Sequence, residues 1–511
     1  MAHPPSRTLR LLLVGLMAAG ASCGTEEPAR KGPNVIWIVW DTVRADRMGL
    51  YGHERDTTPF LDEWAQEAMV FEDCSSTACS TVPSHAGMFT GKLPSEHGTR
   101  FGNSWLDDRH VTVAEVLKGV GYDTYLWAAN PHVSKEENFA QGFDVVQHPW
   151  DRATLQEAVR IVREKVKGDQ SSELPAKLES GRGNQWMLKA AGELAERRLL
   201  RWLGKRESDA PFFAFLNYME AHRPMIPPRS YRERMMSPED VDRSYLVDRS
   251  WLPMWAYCFG LHEYAPDELE IMAGTYDATI AELDDLLRSL VAALEAAGHL
   301  EDTVIVLTSD HGEHLGEHHM MDHQFTLYDG LIRVPLVLWA PGRVDPGRSG
   351  APVSNYDLFP TLLELVDVPP PAGLESSAVS LLAPRQERVL LAELPSTFSE
   401  PFGVLKKSYP DFDPSPWDRT LVAYRDGPLK LIGSSNGDYE LYDLERDPEE
   451  TNDLFHPEDP RSQRMLQGMA EFMQSMQPAE SGTGPSRGPS AEHLTRLKAL
   501  GYVAGEDEED D

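Results

Sequence analysis

The run NVIWIVWD, residues 34–41, decides the fold. Between Asn34 and Asp41 every residue is apolar and none alternates with a polar one. A strand with one wet face alternates; a continuous apolar run predicts a strand covered on both faces, as in a parallel sheet flanked by helices. PFFAFLNYMEAH (211–222) and DTVIVLTSDH (302–311) repeat the pattern and also end in polar or charged residues, and VPLVLWAPG (334–342) reads as another strand. VTVAEVLKGVGYDTYLWAAN (111–130) reads as helix, glycine turn, strand, and TIAELDDLLRSLVAALEAAG (279–298) as helix. This alternation predicts an α/β fold with a mostly parallel central sheet flanked by helices. Ligands in such sheets bind beyond the carboxyl ends of the strands. Asp41, Glu220, His222, Asp310 and His311 all fall there.

Outward from the sheet, the chain divides. Its 511 residues exceed one ordinary domain and suit one large domain plus a smaller one. Residues 1–23 carry Arg7 and Arg10, an apolar run from Leu11 to about Ala19, and small residues before Cys23. That is the layout of a secretory signal, too short to span a membrane as a stable helix. Gly20-Ala21-Ser22-Cys23 resembles a bacterial lipobox, which implies an exported protein in the periplasm or at the cell surface, anchored through lipid at Cys23. Residues 24–33 would serve as a tether. The large α/β domain is expected over 34–384. Over 385–475 the short alternating runs and the DG and NG turns of RTLVAYRDGPLKLIGSSNGDYELYDLERDP predict a small antiparallel subdomain. Residues 476–511 combine a Gly/Pro/Ser-rich linker, a short amphipathic LTRLKALGYV and an acidic tail.

Composition narrows the partners. Hydrophobic content of 41% and charged content of 25% are those of a globular protein. A net charge of -34 repels nucleic acid and anionic membranes, so no nucleic-acid polymer is expected and a membrane only through the lipid anchor. Oligomeric state is not legible. Besides Cys23 there are Cys74, Cys79 and Cys258, an odd number that in an exported chain fits one disulfide and one free thiol.

An acid at one strand end is often a helix cap. The adjacent pair Asp310-His311 at the end of a second buried strand, inside SDHGEHLGEHHMMDH (309–323), asks for more. Carboxylate oxygens and imidazole nitrogens suit Ca, Mn, Mg or Zn. His314, His318 and His319 read singly as solvated loop residues. A further run, ACSTVPSHAGMFTG (78–91), sets three nucleophile-capable side chains in a row: Cys79, Ser80 and Thr81.

Seven blocks, from PNVIWIVWDTVRADRMGLYGHERDTTPFLDEWAQEAMVFED through PSHAGMFTGKLPSEHG, AEVLKGVGYDT, NYMEAHRPMIPP, VLTSDHGEHLGEHHMMDH and LYDGLIRVPLVLWAPG to ELYDLERDPEETNDL, resemble the sulfatase family of the alkaline phosphatase superfamily, in the same order. The resemblance covers roughly 34–455. It implies a divalent metal, one ion rather than two, held by Asp41, Asp310, His311 and the nucleophile. Many sulfatases have Asp-Asp in the first block; here it is Asp41-Thr42, as in a branch that resembles phosphonate monoester hydrolases.

The resemblance also sets the register of the nucleophile. Sulfatases carry Cys-x-Pro-Ser-Arg, its cysteine oxidised to formylglycine, ten residues before the glycine of a Thr-Gly pair. Ten residues before Gly91 stands Thr81, with Pro83 and Ser84 in step, His85 at the arginine position and Cys79 two residues early. TVPSH is similar to the nucleophile run of the nucleotide pyrophosphatase/phosphodiesterases. Thr81 followed by Pro83 would equally start a helix. His222 matches a family histidine that contacts the substrate oxygen or protonates the leaving group. His323 stands where relatives place a lysine on the transferred group; it would bind the anion, act as an acid or complete a second metal site. Asn103, 22 residues after Thr81, is a candidate hydrogen-bond donor to the transition state and reads equally as a turn residue. The lysine of the family's Gly-Lys-Trp-His is absent from AANPHVS (128–134), where His132 is a loose substitute.

The expectation is a metal-dependent hydrolase acting on a small-molecule or glycan ester, with phosphorus as the reacting centre. A sulfuric ester hydrolase is the first alternative. A surface lipoprotein that keeps the fold but only binds acidic glycans is the second.

Overall fold

A computed structural model describes residues 32–166, 184–374, 376–383, 388–397, 399–476, 478 and 490–499. The expected signal segment and its Cys23 lie outside these residues, as do most of the tether and the acidic tail. No helix among the described residues is long and apolar enough to cross a membrane.

The opening run forms β1 (Asn34–Trp40). It is followed by β2 (Met69–Ser75), β3 (Asp123–Ala128), β4 (Val145–Gln147), β5 (Phe212–Tyr218) and β6 (Thr303–Thr308). After a two-stranded ribbon of β7 (His314–Leu315) and β8 (Met321–Asp322) come β9 (Arg333–Trp339), β10 (Gly347–Ser349) and β11 (Val353–Ser354). The main sheet runs β10-β2-β9-β6-β1-β5-β3-β4, with β11 also on β2. β1 lies at its centre, parallel to β5 and β6, with Val35 opposite Phe213 and Val304.

Both faces of β1 are buried, which is why its sequence does not alternate. Ile36, Ile38 and Trp40 pack on one face with Tyr276, Ile280, Leu283 and Leu287 of the long Pro266–Ala296 helix. Val35, Trp37 and Val39 pack on the other with Val82, Ala86 and Phe89 of the Thr81–Thr90 helix. The one departure in direction is β9, antiparallel to both β6 and β2. A continuous apolar run reports burial on two faces but carries no sign of direction.

The C-terminal sequence forms the expected antiparallel sheet: β12 (Val389–Leu394), β13 (Leu421–Asp426), β14 (Leu429–Ser434) and β15 (Tyr439–Asp443). Gly427 and Gly437 of the DG and NG turns have positive φ, which the turns require. Helix Pro460–Ser475 packs Met465 and Met469 on one face of this sheet. On the other face, Leu394 and Ile432 meet Phe325, Leu327 and Leu331 beside the main sheet. The Glu393 N–H donates to the Thr77 carbonyl at 2.8 Å, tying β12 to the segment that leads into Thr81.

The cysteine expectation is corrected. Cys74, Cys79 and Cys258 are all free and buried, each in a different apolar cluster. His314 is corrected too: it is buried, with Nε2 2.8 Å from the Thr326 hydroxyl.

Candidate active site

Four strand ends and one helix start converge. Asp41 is the first residue beyond β1, and Thr42 turns the chain there with φ +64, a strained conformation for a β-branched residue. Two amides hold Asp41 Oδ2: Asn217 Nδ2 from β5 at 2.9 Å and Asn130 Nδ2, just beyond β3, at 3.0 Å. Its Oδ1 is buried with no hydrogen-bond partner. Beyond β6, Asp310 Oδ1 accepts from the N–H groups of Thr42 (3.1 Å) and His311 (3.0 Å). Its Oδ2 is likewise buried and without a hydrogen bond, 3.4 Å from His311 Nε2 and 3.5 Å from His85 Nδ1.

The tautomer of His311 follows from its other nitrogen. Nδ1 lies 2.9 Å from the Gly312 carbonyl and donates to it, so Nε2 turns a lone pair inward. Burial, with the neighbouring His323 charge, holds its pKa down to about 3, so the ring is neutral. Burial pushes the Asp41 carboxyl up to about 6, and Asp310 beside it adds to the shift. Asp310 is raised mainly by burial as well. One ligand atom from each of Asp41, Asp310 and His311 lies within 4.8 Å of the others. Two buried carboxylates with idle oxygens and one inward lone pair are costly to leave together. The donor set fits a divalent cation.

Thr81 is the first residue of the Thr81–Thr90 helix, and Ser80, in extended conformation, is its cap. The helix is sterically tied to the sheet through Ser84, whose hydroxyl donates to the Asp310 carbonyl at 2.7 Å. Thr81 Oγ1 lies 3.4 Å from His311 Nε2 and 3.2 Å from Asn130 Nδ2. An oxyanion there would sit at the positive end of a ten-residue helix. Cys79 sits elsewhere. It belongs to the apolar cluster of Trp255, Phe325 and Leu394, and burial pushes its thiol up to about 12.

Three imidazoles extend the site. The His323 ring is 4.6 Å from that of His311 and 5.2 Å from that of His222. Burial works against a charge on His323, but Asp322 Oδ1 at 2.8 Å and Glu313 Oε2 at 3.2 Å outweigh it and hold the ring well above the usual histidine range. His222 is the reverse: burial, then the His323 charge and Lys189, keep it neutral, with Nδ1 donating to the Arg223 carbonyl at 2.6 Å. Lys189 Nζ donates to the carbonyls of Met219 and His222, fixing the loop that carries this ring.

The structure therefore gathers Asp41, Thr81, Asp310, His311, His222 and His323, with His85 beneath them. It does not gather Asn103, which pairs with Arg100 in a turn and donates its side-chain N–H to Gly98 O at 3.1 Å. Glu220 also leaves the group: its Oε1 accepts from the Gly192 N–H at 2.9 Å and lies 3.7 Å from Lys165 Nζ. Asn130 and Asn217 are the residues that sequence reasoning missed. Each is a polar residue at or just beyond the carboxyl end of an apolar strand, a place where asparagine ordinarily reads as a turn.

The sulfatase family model matches residues 33–368. The chain is similar to an arylsulfatase of Clostridium perfringens, 25% identical over 467 residues that cover 84% of this chain and 91% of the relative. It is similar to an N-acetylglucosamine-6-O-sulfatase of Bacteroides thetaiotaomicron, 25% identical over 517 residues covering 88% and 87%. Among solved structures, the phosphonate monoester hydrolase of Agrobacterium radiobacter superposes with a TM-score of 0.64 at 24% identity, over 87% of this chain and 95% of the other.

Proposed function

The chain belongs to the sulfatase family of metal-dependent ester hydrolases, and from that premise we propose that it is an exported hydrolase whose nucleophile is Thr81 and whose reacting centre is phosphorus. The observation that carries this reading is the placement of two side chains. Thr81 Oγ1 faces the carboxylate-imidazole group, whereas Cys79 is enclosed in an apolar cluster.

The choice of nucleophile limits the chemistry. A formylglycine hydrate releases sulfate by elimination from a geminal diol. A threonine ester has no second hydroxyl, so its release needs water to attack the central atom, which suits phosphorus and suits sulfur poorly. The substrate class is a phosphodiester, phosphonate or related phosphate ester.

A divalent cation held by Asp41, Asp310, His311 and Thr81 Oγ1, from the set Ca, Mn, Mg and Zn, would supply Lewis acidity and lower the cost of ionising the hydroxyl. Thr81 Oγ1 attacks phosphorus in line, forming one O–P bond as the bond to the leaving oxygen breaks. His323, held cationic by Asp322 and Glu313, gives its proton to that oxygen. Neutral His222 accepts a hydrogen bond beside it. Water then attacks phosphorus as its proton passes to the now neutral His323, the Thr81 Oγ1–P bond breaks, and Thr81 recovers from solvent the proton it released there on attack. Asn130 Nδ2 orients Thr81 Oγ1 throughout. Export rests on the signal-like residues 1–23, with lipid anchoring at Cys23.

Sulfuric ester hydrolysis is the second reading, because the curated relatives named above are sulfatases. Sulfate monoester, phosphate monoester, phosphodiester and phosphonate substrates, assayed side by side, separate the two. Thr81→Ala is expected to lower kcat on the phosphorus esters by about 10³-fold or more, with Cys79→Ala near wild type. Preference for the sulfate ester, or formylglycine at residue 79 by peptide mass spectrometry, overturns the proposal.

A further inference from the structure

The carboxylate of Glu137 joins three segments that the chain keeps far apart. Oε1 lies 2.9 Å from His493 Nε2 of the C-terminal helix Ala491–Ala499 and 3.7 Å from His132 Nδ1. Oε2 accepts from the Ser104 hydroxyl. Burial would raise this carboxyl, but the neighbouring His132 and His493 imidazoles and the Ser104 hydroxyl override it and hold Glu137 ionised. His132 in turn fixes Asn130: its backbone N–H donates to Asn130 Oδ1 at 3.0 Å. With that oxygen held, Asn130 Nδ2 points to Asp41 Oδ2 and Thr81 Oγ1.

The helix is seated independently of His493. Arg496 reaches Glu136 at 3.2 Å and lies over the Trp150 ring at 5.1 Å, and Leu497 enters the main core. Those contacts suffice to dock a short amphipathic helix. They do not account for a histidine that is 1% exposed and shares its carboxylate with a histidine of the site.

We infer that the C-terminal helix is part of the active-site scaffold, with His493 and Glu137 as positioning residues. His493 holds Glu137, the Glu137 carboxylate faces the His132 ring at 3.7 Å, and the turn from Asn130 to His132 sets the amide beside the reacting hydroxyl. This rests on Thr81 being the reacting group.

The test uses the full chain and whichever ester of the panel above it hydrolyses fastest, so its outcome does not depend on phosphorus or sulfur. His493→Ala is expected to lower kcat about tenfold with KM little changed, and His493→Gln, which keeps one donor to Glu137, to restore most of it. The double variant His132→Ala/His493→Ala is expected to be no slower than His132→Ala alone, because both act through one turn. Wild-type kcat in His493→Ala, or losses that multiply in the double variant, overturns the inference. Failure of the Thr81 reading shows separately, as activity retained in Thr81→Ala. If no ester is turned over, hydrogen exchange of peptides spanning 128–139 decides: faster exchange in His493→Ala supports the scaffold, and unchanged exchange there sinks it.

Discussion

Asn130 shows how much one amide can organise. It donates to a carboxylate of the cation group and to the Thr81 hydroxyl, while its own oxygen is fixed by His132. Removing such a preorganised donor costs about 10²–10³ in kcat. Asn130→Ala is therefore expected to lose that much with the fold intact, and steady-state kinetics beside a thermal melt checks it. The residues legible in the sequence were those whose chemistry has few structural uses: an acid or an Asp-His pair ending a buried strand. Asn130 was not legible, because asparagine after a strand ordinarily marks a turn. Asn103 was open between a donor and a turn residue. Its spacing from Thr81 fitted a donor, but a local bond to Gly98 turns it into a corner, and such a bond cannot be read from spacing.

The elements followed from burial, and their directions did not. β1, β5 and β6 were each visible as apolar runs, and the DG and NG turns announced the second sheet, yet nothing in VPLVLWAPG told that β9 runs against its neighbours. β12 brings an unexpected titration. Glu393 on this strand is 5% exposed, accepts from the Ser95 hydroxyl at 2.9 Å, and burial pushes it up to about 7. Its unfolded value is near 4.5. Between these two values the folded chain binds more protons than the unfolded one, so stability falls as pH rises from 4.5 through 7 and is level above. The span corresponds to about 3 kcal/mol. Glu393→Gln is expected to remove that slope, seen as near-equal stability at pH 5 and a more stable variant at pH 7.5 in paired urea titrations.

At the scale of the molecule, one buried charge cluster links β1 to β6 and the Thr81 helix. Asp41 and Asp310 repel each other in an apolar interior, and a cation between them would bind only the folded chain. Saturation at about 100 times the dissociation constant adds about 2.7 kcal/mol. Chelator is therefore expected to lower the melting temperature by several degrees, and added Mn or Ca to restore it, in calorimetry or a dye melt. An unchanged transition excludes a stabilising ion at this place. The same topology governs how the protein is made. β1, the central and most apolar strand, leaves the ribosome first, but its partners β5 and β6 begin only at residues 212 and 303. At roughly 5–20 residues per second the wait is tens of seconds. For that time VIWIVW offers two unpaired edges and two uncovered faces, so the nascent chain depends on being shielded, and soluble yield should track chaperone supply more closely than final stability.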